Sequence, residues 1–545
     1  MKKLKLKSCL AALLTVLLVT GCTKAAGTQP AASLVQMTEY NSSLEMQPSI
    51  DFNRTTYEIF VYSFRDSDKD GIGDINGIRN KLDYIQDLGF DRIWLTPVCP
   101  SPTYHKYDVT DYRSIDPKFG TLEDYEALIK ECHDRGMLVF FDLVLNHTSS
   151  EHEWFKTACD YLRNTPADLG YSVNDLEACP YIEYYYFSKQ PGEGYAPLEG
   201  TDWYYEARFW SGMPDLDLDN PRVREEIADI MKYWLEKGVD GFRLDAVTSY
   251  YTGNPDANTA FLKWLCDTGR SFDPDCYFVG EAWIERPIIA LLYRSGINSL
   301  FNFPFADNSG IIRNLLNGTY AASDYVKAIN TSDEIFRQSN EIYTDAPFYT
   351  NHDIARSAGY YRTDKGPKTK MAYALSLLMS GNSFVYYGEE LGMKGSGKDE
   401  NKRAPMYWSD DPSYEGMCTG PEGMDDFDMK FPPYDVQKDD ELSIYNWFKQ
   451  VIKVRRSFPA IACGGTRGVE EMSDKEAVTL IKEREGCKAV MLVINLGPET
   501  KAIAVTEPGF DTLSAVLNTN EDKILLEDGT ITIPSMSIAV LTQGE

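Results

Sequence analysis

Short apolar runs alternate with longer helix-like segments along most of the chain, and this alternation constrains the fold more than any other feature. Each run has the length and composition of a buried strand, and most precede an amphipathic stretch such as LEDYEALIKECHDRG or VREEIADIMKYWLEKG. The eight runs are TYEIFVYSF, DRIWLTPV, MLVFFDLVLNH, GVDGFRLDAV, CYFVGEAW, NSLFNFPF, EIYTDAPFYTNHD and NSFVYYGEELG. Eight strand and helix units predict an α/β fold, a (β/α)8 TIM barrel.

Two parts of the chain break this alternation. Residues 148–212 are irregular, acidic and rich in tyrosine, and they are too long for a simple loop, so we expect an inserted subdomain after strand 3. From residue 458 onward, glycine-punctuated segments such as KAVMLVINL and SIAVLT replace the helices. The sequence therefore predicts a barrel over residues 53–457 and a C-terminal antiparallel β-sandwich domain over residues 458–545.

The first residues have the pattern of an export signal. MKKLKLK is basic, CLAALLTVLLV is apolar but short for a membrane span, and VTGC presents small residues before Cys22. This resembles a bacterial lipoprotein signal peptide over residues 1–21, with Cys22 as the lipidated first residue; an ordinary signal peptide or an anchor helix is the alternative. Residues 22–52 are mostly small and polar, which predicts a flexible tether. We therefore expect a protein lipid-anchored at the extracellular face of the membrane.

The charge balance narrows the class of partners. The formal net charge is −29 and the sequence pI is about 4.6. Such an acidic chain is a poor partner for nucleic acid or an anionic membrane surface. Aromatic residues make up 13% of the chain, and aromatic rings beside carboxylates suit sugar binding, although aromatic residues are more often part of a core.

The stretch GFRLDAV places two opposite charges on one face of a buried strand. Arg243 and Asp245 are two residues apart, so their side chains point the same way. A structural ion pair is the simpler interpretation, and a catalytic one requires further polar groups at the same place. The other polar residues at predicted strand ends are Asn146, His147, Glu281, His352 and Asp353. Because chemistry in a TIM barrel occurs at the carboxyl ends of the strands, these residues predict an active site.

Taken together, these motifs resemble the α-amylase family of retaining glycoside hydrolases, glycoside hydrolase family thirteen. The resemblance rests on DLVLNH (142–147), MPDLD (213–217), GFRLDAV (241–247), FVGEAW (278–283) and YTNHD (349–353). It covers nearly the whole mature chain. MPDLD is most similar to the motif of members intermediate between oligo-1,6-glucosidases and neopullulanases, a group that includes secreted α-amylases.

The resemblance implies roles for three carboxylates. Asp245 would be the nucleophile, and Arg243, counted with the substrate-binding residues, would lower the pKa of Asp245 and hold it ionised and oriented. Glu281 would act as acid and then as base, because partial desolvation raises the pKa of a carboxyl group towards the working pH. Asp353 resembles the third carboxylate of the family, which binds sugar hydroxyls. Retention requires the nucleophile and the acid to lie about 5–5.5 Å apart.

Further residues are expected to bind substrate. Tyr107 would stack under the sugar with Asp108 beside it, and His147 and His352 would donate hydrogen bonds to hydroxyls. Arg356 lies where members acting on small oligosaccharides often have an arginine near the terminal sugar. Taken singly, a core tyrosine and structural histidines are the simpler interpretations.

The stretch DSDKDGIGDI predicts a Ca²⁺ site. It is not an EF-hand, because the glutamate required at the twelfth position would fall on Gly77. A similar loop after the first barrel strand binds calcium in oligoglucosidase-like and some amylase members, and a solvated acidic turn is the alternative. The expected ligands of this structural ion are Asp66, Asp68, Asp70, Asp74 and the carbonyl of Ile72.

The sequence thus predicts an α-amylase that cleaves α-1,4 bonds in starch or maltodextrin. An exo-acting α-glucosidase, an α-1,6-active relative and a transglycosylase share these residues and stay open as alternatives. A non-catalytic sugar-binding protein is disfavoured because all three carboxylates are present. Thr248 and Ser249 replace the Lys-His pair of many α-amylases, so the substrate contact and the calcium ligand from that pair are absent here.

Overall fold

The computed structural model describes residues 35–50, 53–164 and 173–544. The predicted signal peptide, Cys22 and the first part of the predicted tether lie outside the described residues. Among the residues that are described, no helix has the length and apolar character needed to cross a lipid bilayer.

Strands and helices alternate through the first four-fifths of the chain, and strands predominate after that. The strands of the described residues are β1 (Thr55–Ile59), β2 (Arg92–Leu95), β3 (Leu138–Leu143), β4 (Phe187–Ser188), β5 (Tyr195–Pro197), β6 (Tyr204–Glu206), β7 (Gly241–Leu244), β8 (Tyr277–Gly280), β9 (Ser299–Leu300), β10 (Ser383–Tyr386), β11 (Gly465–Gly468), β12 (Ala477–Glu483), β13 (Val490–Asn495), β14 (Lys501–Ala504), β15 (Thr512–Asn518), β16 (Leu525–Glu527), β17 (Thr530–Ile533) and β18 (Ser537–Thr542). The helices are α1 (Gln36–Asn41), α2 (Ile75–Arg79), α3 (Leu82–Leu88), α4 (Leu122–Asp134), α5 (Glu153–Asn164), α6 (Val173–Ala178), α7 (Pro221–Glu236), α8 (Pro255–Phe272), α9 (Arg286–Tyr293), α10 (Ile311–Leu316), α11 (Asp324–Ser339), α12 (Pro367–Leu377), α13 (Asp399–Lys402), α14 (Tyr434–Gln437), α15 (Ile444–Ser457) and α16 (Pro459–Cys463).

Parallel strands form the barrel in the order β10-β1-β2-β3-β7-β8-β9. Parallel bridges from Phe301 to Ala346 and from Phe348 to Phe384 bring residues 346–348 between β9 and β10, at the eighth strand position. Pro347 lies in the middle of this segment and has no N–H to donate, which explains why the position makes isolated bridges and not a full ladder. The (β/α)8 barrel predicted from the sequence is confirmed.

The barrel interior is filled by large side chains and the outer helices pack on its surface. Trp94, Phe140, Tyr277 and Phe301 belong to one buried cluster inside the barrel. Outside it, α7 shows why these segments are helical: Asn220 caps its first turn, and its buried side chains recur at helical spacing. The barrel is therefore a packed core whose chemistry is confined to its ends.

Two antiparallel additions complete the structure. The segment between β3 and β7 carries the small sheet β4-β6-β5 together with α5 and α6. After α16, a five-stranded sheet in the order β11-β12-β13-β18-β15 is accompanied by a three-stranded sheet, β14-β17-β16. The C-terminal antiparallel β domain agrees with the sequence prediction.

The prediction of a flexible tether over residues 22–52 is wrong for residues 35–50. Met37 is fully buried. Asn41 pairs with the backbone of Val516 on the edge strand β15: its Oδ1 accepts from the Val516 N–H at 3.2 Å and its Nδ2 donates to the Val516 carbonyl at 2.9 Å. Gln36 makes the same pair of bonds with the backbone of Ile524. Polar composition was misleading because amide side chains match the donors and acceptors of an exposed sheet edge.

We predict that Asn41→Ala destabilises the protein. The substitution leaves the buried N–H and carbonyl of Val516 without a partner, which costs about 1–3 kcal/mol. Urea unfolding followed by circular dichroism measures the loss, with Glu39→Ala on the exposed face of the same helix as the control. Equal unfolding midpoints for the two variants would contradict the docking of this segment.

Candidate active site

The polar residues identified at predicted strand ends meet at one mouth of the barrel. Arg243 lies in β7, and its guanidinium is fully buried. Its Nη1 lies 2.9 Å from Asp142 Oδ1 and 2.6 Å from Asp245 Oδ1, and its Nη2 lies 2.8 Å from Glu281 Oε2. One cation thus joins carboxylates from β3 and from the ends of β7 and β8. The opposite charges in GFRLDAV form an ion pair, and that pair is part of a larger cluster.

Glu281 follows β8 and is almost enclosed, with 9% of its side chain exposed. Its pKa is raised to about 7: burial is the largest cause, Arg243 opposes it, and the nearby carboxylates of Asp245 and Asp353 add to it. Ala246 points its N–H at Glu281 Oε2 over 3.4 Å and has φ 42°, in the left-handed region. Ala246 directly follows Asp245 in the chain. Strained backbone conformations of this kind are often found at functional sites.

His352 bridges two strands beside this cluster. Its Nδ1 lies 2.6 Å from Glu58 Oε1, and its Nε2 lies 2.6 Å from the Tyr107 hydroxyl and 3.2 Å from Asp353 Oδ2. Burial alone would lower its pKa, but Asp353 and Glu58 raise the pKa to about 10. The imidazole is therefore a cation at neutral pH, and both its N–H groups donate to these oxygens.

Asp353 has two cationic neighbours. Arg403 Nη2 donates to Asp353 Oδ1 at 2.8 Å, and Arg403 Nη1 donates to the Tyr104 hydroxyl at 2.8 Å. Burial would raise the pKa of Asp353, but the charges of His352 and Arg403 hold that pKa well below its usual range. With 32% of its side chain exposed, Asp353 is an ionised acceptor open to the mouth.

Tyr107 and His147 line the same region. The Tyr107 ring is stacked on His352, with centroids 5.3 Å apart, and its hydroxyl donates to Asp142 Oδ2 at 3.0 Å. His147 Nε2 lies 3.2 Å from the Tyr107 carbonyl, and burial lowers the pKa of this imidazole. Because both histidines already have partners in the protein, direct contacts from them to a substrate require an exchange of hydrogen bonds.

Two residues predicted to bind substrate are enclosed by hydrogen bonds within the protein. Arg356 is fully buried, and its guanidinium donates to the carbonyls of Tyr387 and Lys402, so it supports the loop after β10 from behind. Asp108 is 1% exposed, and its Oδ1 accepts from the hydroxyls of Ser101 and Thr103. Asp108 is thus held by its own loop, and Arg356 is held by the segment that follows β10.

Three residues of the site had no assigned role in the sequence prediction. Glu58 in β1 and Asp142 in β3 are single charges in otherwise buried strands, the same signal that identified Arg243, and could have been found in that way. Arg403 lies just after the short helix α13, in the long segment that follows β10. No local pattern in the sequence connects it with Asp353.

The cluster separates the protonation states of neighbouring carboxyl groups. The raised pKa of Glu281 favours its neutral form, whereas the lowered pKa of Asp353 favours its anion. Carboxyl groups whose pKa values differ in this way can act as a proton donor and as anionic partners in one reaction. The geometry suits a reaction in which positive charge develops between the acid and the carboxylates.

The acidic loop after β1 forms a second candidate site. Carboxylate oxygens of Asp66, Asp68 and Asp74 lie within 4.8 Å of one another, which suits a hard cation. Asp70 lies outside that group and accepts from the N–H of Ile72 at 2.7 Å. Gly71 turns the loop with φ 90°, a conformation that favours glycine.

Comparisons with known proteins find that this chain is similar to amylases and glucosidases. Residues 58–464 match the family described as "Alpha amylase, catalytic domain". The chain is 37% identical to Alpha-amylase 3 of Dictyoglomus thermophilum over 454 residues, which covers 82% of this chain and 85% of the relative. It is 30% identical to an oligo-1,6-glucosidase of Heyndrickxia coagulans over 493 residues, which covers 75% of this chain and 85% of the relative. The structure of Eubacterium rectale Amy13B superposes with a TM-score of 0.91 at 43% identity and covers 94% of this chain and 99% of the other.

Proposed function

The chain belongs to the α-amylase family of glycoside hydrolases, and on that premise we propose that it is a retaining α-amylase that hydrolyses α-1,4-glucosidic bonds in starch and maltodextrin. One observation carries the proposal: a single buried guanidinium, that of Arg243, contacts both Asp245 and Glu281. A nucleophile and an acid at one barrel mouth are what retaining hydrolysis needs.

The mechanism follows from the charges of the site. Asp245 attacks the anomeric carbon while neutral Glu281 protonates the departing glycosidic oxygen, which gives a covalent glycosyl-enzyme. Glu281, now ionised, takes a proton from water, and that water releases the sugar from Asp245. Ionised Asp353 accepts hydrogen bonds from sugar hydroxyls, and Arg243 keeps both catalytic carboxylates in place.

The choice of bond rests on similarity to relatives. The relative named α-amylase is 37% identical, and the relative named oligo-1,6-glucosidase is 30% identical. Both relatives match over most of their length, so the similarity to the oligo-1,6-glucosidase also supports the α-1,6-active or exo-acting alternative. We favour α-amylase activity because this chain is more similar in sequence to the relative named α-amylase.

A product profile tests this choice. We predict that the enzyme releases short maltooligosaccharides from amylose with a fast fall in polymer size, and that pullulan is cut more slowly. The control is Glu281→Gln, which has nearly the same shape but cannot donate a proton in the same way, and which should lose most activity on every substrate. Glucose as the first product from amylose and maltotriose would favour the exo-acting alternative, and full activity of the glutamine variant would refute the role of Glu281.

The pH dependence of the reaction follows from Glu281. Because the acid must be protonated and its pKa is about 7, kcat/KM for a natural glucan should decrease about tenfold per pH unit above that value. A maltosyl fluoride, whose leaving group needs little protonation, serves as the control and should lose activity much less steeply. A glucan profile that stays flat up to pH 9 would contradict the assignment.

We also propose a structural Ca²⁺ in the loop after β1. Asp66, Asp68 and Asp74 would hold it, and their all-oxygen donor set is the chemistry that calcium prefers. Bound cation would offset the repulsion among these carboxylates and fix the loop. The ion would have no part in the chemical steps.

Removal of metal tests this site. We predict that EDTA lowers the melting temperature and that added CaCl₂ restores it, since a ligand at a hundred times its Kd stabilises a protein by about 2.7 kcal/mol. In Asp68→Asn the difference between EDTA and CaCl₂ should shrink, whereas Asp439→Asn, at an exposed position elsewhere, should keep it. Identical melting curves of the parent with and without calcium would refute the proposal.

The proposed location follows from the sequence alone. We propose that the mature chain begins at Cys22 and is held by lipid at the extracellular face of a bacterial membrane. The basic and apolar segments before that cysteine support this proposal.

A further inference from the structure

Two neighbouring aromatic side chains of the insert remain half exposed beside the barrel mouth. Phe209 and Trp210 are each 50% exposed. They lie on a turn, residues 208–213, that we name the aromatic ledge. We propose that the aromatic ledge binds the face of a glucosyl unit next to the one at the reaction centre, and that it thereby sets the preference of the enzyme for longer glucan chains. This inference rests on the proposed α-glucan substrate and adds a specificity-determining site to it.

The aromatic ledge is continuous with the catalytic cluster. The Phe209 ring lies against the imidazole of His147, with centroids 5.2 Å apart. His147 in turn contacts the Tyr107 carbonyl, and the charge of Asp245 acts on the pKa of His147. A glucan chain that leaves the reaction centre past His147 would therefore reach the aromatic ledge.

The aromatic ledge is held rigidly although its rings are exposed. The Trp210 carbonyl accepts from the N–H of Met213, the Ser211 carbonyl accepts from the hydroxyl of Tyr205, and the Gly212 carbonyl accepts from the N–H of Ser150, each at 2.8 Å. These bonds tie the turn to the rest of the insert and to the segment after β3. A platform that is already ordered loses little entropy when it binds a ligand.

Gly212 has a specific part in this turn. The Trp210 indole folds back over its backbone, and a Cβ at residue 212 would lie 2.2 Å from the ring. Only glycine leaves room for the indole in this position. The sequence therefore places the indole where it is stacked on the backbone and presents its outer face to solvent.

The chemistry of the surroundings favours a sugar as the occupant. Aromatic faces match the apolar faces of pyranose rings. Arg208, which precedes Phe209 in the chain, forms an ion pair with Glu206, with Nε 2.6 Å from Oε1, and this pair offers donors and acceptors to hydroxyl groups. The net charge of −29 disfavours a membrane surface as the occupant.

Binding measurements in an inactive background test the proposal. We expect Trp210→Ala and Phe209→Ala, each combined with Glu281→Gln, to weaken maltoheptaose binding about three- to tenfold by isothermal titration, as the loss of an aromatic contact implies. Trp210→Phe retains a ring and should recover most of the affinity. Phe272→Ala removes a 40% exposed aromatic side chain at the end of α8 and should have no effect.

The outcomes separate this inference from the proposed function. If the parent enzyme hydrolyses glucans but both alanine variants bind maltoheptaose as tightly as the background does, the aromatic ledge is not a sugar site. If the alanine variants weaken binding but the parent hydrolyses no glucan, the proposed function fails and the ledge survives. If sedimentation shows a dimer of the parent that the alanine variants lose, with maltoheptaose affinity unchanged, the aromatic ledge is an interface between copies and the inference is overturned.

Discussion

A fully buried guanidinium at the carboxyl end of the barrel governs the arrangement of the active site. Removing a cation from water is costly unless anions surround it in good geometry. Arg243 therefore requires the carboxylates of Asp142, Asp245 and Glu281 at short distances. Because these carboxylates come from three separate strands or strand ends, the electrostatic requirement fixes how the strands are placed relative to one another at the mouth.

The same requirement leaves the carboxyl groups with different tasks. Arg243 is shared among several anions, so it cannot offset the desolvation of Glu281, and the pKa of Glu281 remains raised to about 7. Asp353 has its own cations, His352 and Arg403, and stays ionised. The few positive charges are distributed unevenly, so the pKa of the acid differs from the pKa of the anionic carboxylates. This difference allows an acid and a nucleophile to act at the same pH.

The barrel and most of the mouth could be predicted from the sequence because they depend on strong, local rules. Alternating periodicity identifies strands and helices, and the carboxyl ends of parallel strands must meet. A charge inside a buried strand, such as Arg243, signals a compensated cluster. That rule extends to Glu58 and Asp142, whose places follow from the same argument as that of Arg243.

The remaining features depend on side-chain orientation and on pairing between distant residues, which local sequence patterns do not predict. Arg356 and Asp108 follow barrel strands as the site residues do, yet Arg356 donates to a carbonyl of the segment after β10 and Asp108 accepts from hydroxyls of its own loop. Arg403 reaches Asp353 from a segment without periodicity. Asn41 forms ladder-like bonds with a strand more than four hundred residues away, because a lone amide can complete any free backbone edge. Polar residues outside strands are therefore ambiguous until their partners are known.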